Sequence, residues 1–110
     1  MRRGWKAMAV GAVLVTALSG APVASASVAT TKAVSIKDYF FSPKAITIVH
    51  GTFVKWTNMG AQTHTTTNNG GLWSKTLAPG QTYTRQFNKV SFYRYHCNIH
   101  PSMTGTIKVT

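Results

Sequence analysis

Short runs of residues that favour β-strands, separated by turn residues, follow one another along the chain from Val34 onward. In the run at residues 53–58, Val54 and Trp56 alternate with polar residues, the period of two expected for a strand with one buried and one solvated face. This part of the sequence has no stretch with the sustained period of a helix. Short strands at such spacing are typical of an all-β sandwich or barrel and not of βαβ units. We therefore predict an all-β fold.

The turn residues set the limits of individual strands. Residues 46–49 form one run, His50 and Gly51 a turn, and residues 53–58 the next run, so we expect the two strands to form a hairpin. We predict three further strands, at residues 82–87, 91–96 and 104–109.

Residues 1–26 have the pattern of a targeting segment. Three basic residues precede an uncharged apolar run at residues 8–18, and the small residues Ala24 and Ala26 match a signal peptidase site. A membrane anchor is the alternative, but the run is shorter than the roughly 18 to 20 residues that span a bilayer. We predict a signal peptide at residues 1–26 and an exported product, periplasmic or extracellular, without stable membrane insertion. The adjacent arginines at positions 2 and 3 leave both the general secretory and the twin-arginine routes open.

Residues 27–110 would then be a mature chain of 84 residues, which is enough for one small core and excludes a second domain. Loss of the segment's three basic residues leaves nine Lys and Arg against the single acid Asp38, a net charge of +8. This charge favours an acidic partner, although it would equally keep a protein soluble by self-repulsion. The basic residues are spread without a run, so nucleic-acid binding is not expected.

Cys97 is the only cysteine, so it cannot form a disulfide within the chain. By itself it could be an inert buried residue, an intermolecular link or a metal ligand. His100 and Met103 follow it at a Cys-x2-His-x2-Met spacing, which puts a thiolate, an imidazole and a thioether within seven residues. A copper ion that cycles between Cu(II) and Cu(I) takes such a mixture of soft sulfur and borderline nitrogen donors. A loop between two strands would bring the three side chains to one point.

His64 is the best candidate for a further ligand, because it lies six residues after Asn58 at the end of a predicted strand. Taken singly, a buried Cys, a surface His or a core Met needs no metal to explain it. His50, in a predicted turn, and His96, on the strand face opposite to Cys97, are not expected to bind metal. The grouping as a whole predicts a copper site with four ligands: His64, Cys97, His100 and Met103.

These features resemble the cupredoxin family, and most closely its amicyanin and plastocyanin branch. The short Cys-x2-His-x2-Met loop is similar to that of amicyanins, whereas plastocyanins and pseudoazurins have a longer loop. The resemblance implies a monomeric Greek-key β-sandwich with one type 1 copper ion that carries single electrons between redox partner proteins. The matching segments are residues 41–43, 46–48, 51–58, His64 and residues 95–103.

Two departures from the family pattern concern the ligand loops. The family often has Asn beside the first His ligand, where it ties the two loops together, but Thr63 and Thr65 stand here. Asn98 and Ile99 also replace the more usual Thr-Pro. Both changes leave the four ligands intact, so we expect them to affect the reduction potential and loop rigidity more than copper binding.

The resemblance also implies a route for electrons. His100 would lie near the surface, with its ring edge as the point of electron entry and an apolar rim of Met59, Ala61 and Pro101 that docks a partner. In the Cu(I) form, His100 would leave the metal and take a proton at mildly acid pH.

Other functions remain open at the level of sequence. The same ligands could serve copper storage or delivery, and a Cys with two His also suits structural zinc, although a thioether offers zinc little. An enzyme is not expected, because Asp38 is the only carboxylate side chain and paired acid–base catalysis by carboxylates is impossible.

Overall fold

The computed structural model of the protein describes residues 28–110, so the predicted signal peptide at residues 1–26 lies outside the described residues. Residues 28–110 contain no helix, and hence none that is long and apolar enough to cross a membrane. They form nine strands: β1 (Thr31–Lys37), β2 (Phe40–Ser42), β3 (Ala45–Ile48), β4 (Thr52–Asn58), β5 (His64–Asn68), β6 (Ser74–Leu77), β7 (Thr82–Phe87), β8 (Ser91–His96) and β9 (Thr104–Val109).

The strands form two sheets that pack as a β-sandwich. One sheet has the order β2-β1-β4-β7 and the other the order β3-β9-β8-β5-β6. The pairs β1–β4 and β3–β9 are parallel, and the other paired strands are antiparallel. The chain crosses between the sheets at the β3–β4, β4–β5 and β6–β7 connections, among others, as a Greek key requires. The predicted all-β Greek-key sandwich is confirmed.

Strands β7, β8 and β9 have the bounds predicted from the sequence, but the predicted hairpin of β3 and β4 is wrong, because these strands belong to opposite sheets. The turn between β3 and β4 makes backbone hydrogen bonds towards both sheets. The N–H of His50 donates to the carbonyl of Thr110, just after β9, whereas the N–H of Gly51 donates to that of Phe87 in β7. Gly51 has a φ of 94°, which lets the chain reverse at the crossing point.

Trp56 of β4 lies at the centre of the core and is fully buried. Its ring packs edge-on against Tyr95 of β8, in the opposite sheet, with ring centroids 5.5 Å apart. Its centroid lies 5.7 Å from that of Trp73, the residue before β6. Burial of such side chains stabilises the fold by about 1.5 to 3 kcal/mol each. The contact with Tyr95 holds the end of β8 in place, two residues before Cys97.

Three connections meet at this end of the sandwich: the β1–β2 turn, the β4–β5 loop and the β8–β9 loop. Asp38 of the turn accepts a hydrogen bond from the N–H of Ala61 in the β4–β5 loop. The N–H of Thr65, the second residue of β5, donates a hydrogen bond to the sulfur of Cys97 in the β8–β9 loop. The predicted ligand loops are thus neighbours, as the sequence analysis expected.

Candidate metal centre

Cys97 follows the last residue of β8 and begins a loop that ends where β9 starts. The loop closes on itself, because the N–H of Cys97 donates to the carbonyl of Met103 at 3.1 Å and the N–H of Met103 donates to that of His100 at 2.9 Å. Cys97 and Met103 are buried, whereas His100 is half-buried. The Cys-x2-His-x2-Met spacing therefore folds into a tight turn at one end of the sandwich.

His64 is the first residue of β5, and it is fully buried. The loop that precedes it is shaped by Asn58, whose side-chain amide donates to the carbonyls of Gln62 and Leu77, both at 2.8 Å. The side-chain oxygen of Asn58 accepts a hydrogen bond from the N–H of Gly60 at 2.9 Å. A buried amide with three partners fixes this loop and, through it, the position of His64.

The side chains of His64, Cys97 and His100 converge, with one ligand atom of each within 4.8 Å of the others. The Nδ1 atoms of the two histidines are 3.2 Å apart, and each lies 3.9 Å from the sulfur of Cys97. A circle through three atoms at these separations has a radius of about 2.1 Å, close to the metal–nitrogen and metal–sulfur bonds of about 2.0 to 2.3 Å. The three residues therefore fit one metal ion, and the donor set of one thiolate and two imidazoles suits copper.

Burial of the Cys97 thiol opposes its ionisation and raises its pKa, but hydrogen bonds to the sulfur outweigh that effect. The N–H of Thr65 donates to Sγ at 3.3 Å, and the N–H groups of His100 and Ile99 also stabilise the thiolate. The net result lowers the pKa of Cys97 from 9.0 to about 6. The thiolate, which is the form that binds metal, is thus present at neutral pH.

Asp38 contacts His64 directly, and the sequence analysis assigned it no part in the site. The Nε2 of His64 lies 2.8 Å from Asp38 Oδ1, and the N–H groups of Ala61 and Gln62 donate to the same carboxylate at 2.9 and 3.1 Å. The hydrogen bond from Ala61, followed by those from His64 and Gln62, lowers the pKa of Asp38 to about 2. The signal available in the sequence was that Asp38 is the only acidic residue of a strongly basic chain.

Thr65 ties the two ligand loops together, at a position where the family often has Asn. Its N–H donates to the sulfur of Cys97 at 3.3 Å, and its hydroxyl accepts a hydrogen bond from the N–H of Asn98 at 2.8 Å. The same hydroxyl lies 3.0 Å from that of Thr67, farther along β5. The threonine therefore supplies both a donor and an acceptor between the loops, although it departs from the family pattern.

The remaining predicted residues lie as follows. Met103 is buried at the end of its loop, and its role as a copper ligand stays a prediction. His96 places its Nδ1 2.6 Å from Asn69 Oδ1 and its Nε2 2.9 Å from Asn98 Oδ1, and it is not part of the group of ligand atoms. His50 is exposed in the turn after β3.

The ring of His100 is half-buried and has an aromatic neighbour. Tyr39 of the β1–β2 turn packs edge-on against it, with ring centroids 5.1 Å apart. The predicted rim residues are all exposed in the loops around the site: Met59, Ala61 and Pro101. Ile99, which was not predicted, is exposed there as well.

Comparison with protein families shows to which family the chain belongs. A model of the cupredoxin-like domain matches residues 7–109, nearly the whole length. The chain belongs to the cupredoxin family. A comparison with curated proteins finds no match.

Solved structures share the architecture of this cupredoxin. A purple cupredoxin from Nitrosopumilus maritimus is 28% identical, with a TM-score of 0.66 over 71% of this chain and 98% of that one. A reduced amicyanin variant is 25% identical, with a TM-score of 0.64 over 71% of this chain and 80% of that one. A copper-containing nitrite reductase from Thermus scotoductus is 26% identical, with a TM-score of 0.66 over 89% of this chain but only 27% of that one. The predicted relationship to the amicyanin-like cupredoxins is confirmed.

Family membership and the donor group identify the cofactor. A cupredoxin in which His64, Cys97 and His100 bring their ligand atoms together has the group typical of one type 1 copper site. The predicted copper ion is therefore confirmed, in preference to structural zinc.

Proposed function

We propose that this cupredoxin is an exported one-electron carrier whose copper ion is held by His64, Cys97, His100 and Met103. The observation that carries the proposal is the convergence of one thiolate and two imidazole nitrogens at separations of 3.2 to 3.9 Å. Copper bound there would supply a one-electron change between Cu(II) and Cu(I). Met103 would complete the donor set with its thioether sulfur.

The protein's own contribution would be to hold the ligands still while the charge changes. The buried sulfur of Cys97 accepts hydrogen bonds, and His64 is hydrogen-bonded to Asp38. Thr65 joins the start of β5 to the β8–β9 loop. A rigid site intermediate between the geometries of the two oxidation states has little to rearrange, which favours fast electron transfer.

Electrons would enter and leave at His100, the half-buried member of the group. The exposed side chains of Met59, Ala61 and Pro101 would form an apolar docking rim around it. A net charge of +8 for residues 27–110 favours an acidic redox partner, because complementary charge speeds encounter. We infer a monomer that meets this partner transiently.

Copper delivery is the second candidate function, and the partial exposure of His100 favours it, because a chelating partner could displace this half-buried ligand before the buried ones. A catalytic role has less support. The chain corresponds to about a quarter of the nitrite reductase that it resembles.

The copper-loaded protein tests the proposal. We expect an intense visible absorption from thiolate-to-copper charge transfer, a reversible one-electron wave and fast self-exchange. The Cys97→Ser variant is the control and should lack the absorption. A colourless, electrochemically silent copper-loaded protein would refute the proposal, and rapid loss of copper to a chelator with slow self-exchange would favour delivery.

Export is part of the same proposal and has its own test. Expression of the full chain in a bacterial host should yield a periplasmic or secreted product that begins at Ser27. An unprocessed cytoplasmic product would contradict the predicted signal peptide at residues 1–26.

A further inference from the structure

We propose that Asp38 is a positioning residue for the copper site, acting through His64. This inference rests on the proposed function, since it concerns the same ligand. The Nε2 of His64 lies 2.8 Å from Asp38 Oδ1, while Nδ1, on the other side of the ring, faces the sulfur of Cys97 and the Nδ1 of His100. Asp38 and the metal position thus occupy the two nitrogens of one buried imidazole.

The ionised carboxylate fixes which ring nitrogen carries the hydrogen. A carboxylate can only accept, so the hydrogen bond requires the proton on Nε2 of His64. In a neutral imidazole this leaves the lone pair on Nδ1, which points to the metal position. Asp38 therefore selects the tautomer that binds metal.

Asp38 is itself held firmly, as a positioning group must be. Its two oxygens accept hydrogen bonds from the N–H groups of Ala61 and Gln62, in the loop that leads to His64. Gly60 makes this approach possible, because a Cβ at that position would overlap Oδ1 of Asp38. The carboxylate of Asp38 lies in the β1–β2 turn of one sheet, and it orients His64, the first residue of β5 in the other sheet.

The charge of Asp38 has a chemical consequence for the metal. A carboxylate that accepts from a ligating imidazole raises its basicity, and loss of such a partner costs about 10- to 100-fold in metal affinity. A more basic ligand stabilises the more highly charged ion, so the effect should be larger for Cu(II) than for Cu(I). Removal of the carboxylate should therefore raise the reduction potential.

A purely structural role is the rival explanation, because Asp38 also pins the β4–β5 loop through Ala61 and Gln62. Loosening that loop would weaken binding of Cu(I) and Cu(II) alike, and equal losses leave the reduction potential unchanged. The potential therefore separates the two explanations, whereas thermal stability does not.

The experiment compares Asp38→Asn and Asp38→Ala with the wild-type protein and with Asn88→Lys. The last variant adds the same unit of positive charge at an exposed position beyond β7, at the opposite end of the strand from the site. We expect Asp38→Ala to lower Cu(II) affinity by about 10- to 100-fold, Asp38→Asn to lower it less, and both to raise the potential relative to Asn88→Lys. Equal losses of Cu(I) and Cu(II) affinity, or a potential that only matches the control, would overturn the inference.

A measurement on the wild-type protein covers the case in which the variants do not fold. In the diamagnetic Cu(I) form, the Nε2–H proton of His64 should give a separate NMR signal that exchanges slowly with water. Rapid exchange of that proton would overturn the inference. If the wild-type protein shows no thiolate–copper absorption at all, the proposed function has failed instead.

Discussion

The hydroxyl of Thr65 accepts a hydrogen bond from the backbone N–H of Asn98 at 2.8 Å, while the N–H of Thr65 donates to the sulfur of Cys97. This pair of bonds joins the strand that begins with His64 to the loop that carries the other predicted ligands. A single threonine thus links two parts of the site that lie 33 residues apart in the sequence.

Replacement of Thr65 by Val should test that link. Val keeps the shape and the backbone donor to Cys97 but removes the acceptor for Asn98, so we expect the metal-free protein to lose about 1 to 2 kcal/mol of unfolding free energy. Thr65→Ser, which retains the hydroxyl, should lose less. Denaturant unfolding of both variants gives the comparison, and equal stability of Thr65→Val and wild type would contradict a role for the hydroxyl.

The pKa of Cys97 predicts how the metal-free protein responds to pH. Because folding lowers this pKa from 9.0 to about 6, the thiolate favours the folded state fully above pH 9, and this contribution is lost as the pH falls from 9 to 6. The ultraviolet absorbance of the thiolate should titrate with a midpoint near 6. The Cys97→Ser variant should lack both this titration and the associated gain in stability. A midpoint near 9 would show that the hydrogen bonds do not stabilise the thiolate.

The sequence predicted the strands whose signals are local. Residues 82–87, 91–96 and 104–109 are short runs that favour strands, and they became β7, β8 and β9. The pairing of β3 with β9 was not predictable in this way, because the alternation in β3 is the same whether its partner is the next strand or the last one. Strand β5 was missed because all of its residues are polar. Its buried threonines have partners only in the folded protein: the hydroxyl of Thr65 lies 3.0 Å from that of Thr67, and the hydroxyl of Thr66 accepts a hydrogen bond from the indole N–H of Trp73.

The same distinction between local and long-range signals applies to the residues of the metal site. The thiolate and one imidazole could be predicted from the spacing of Cys97 and His100, since only two residues separate them in the chain. Asp38 could not, because it reaches His64 across 26 residues and from the other sheet. The function of Thr65 was likewise hidden, since it depends on where Asn98 lies after folding.

Asn58 should be sensitive to a change of one side-chain atom. Its amide nitrogen donates to the carbonyls of Gln62 and Leu77, so Asn58→Asp would place one carboxylate oxygen against two carbonyls. We expect a loss of about 2 kcal/mol or more, measured by denaturant unfolding. The same change at exposed Asn88 is the control and should have little effect. Equal losses at the two positions would mean that the β4–β5 loop does not depend on this amide.

Tyr39 combines a strained backbone with an aromatic contact. Its φ of 78° is unfavourable for a residue with a side chain, and its ring packs edge-on against His100. Tyr39→Ala loses the contact and keeps the strain, whereas Tyr39→Gly loses the contact and relieves the strain. We therefore expect the Gly variant to be more stable than the Ala variant by about 1 kcal/mol. An Ala variant as stable as the Gly variant would contradict the left-handed conformation.

Met59 tests the docking rim around His100. Met59 is 60% exposed, so Met59→Lys should fold normally and keep the copper absorption while placing a charge where two molecules approach. Self-exchange should slow by about tenfold, equivalent to about 1.4 kcal/mol of activation free energy. Asn88→Lys adds the same charge far from His100 and separates this local effect from the rise in net charge. If both variants slow self-exchange equally, the charge acts through general repulsion, and the contact surface does not include Met59.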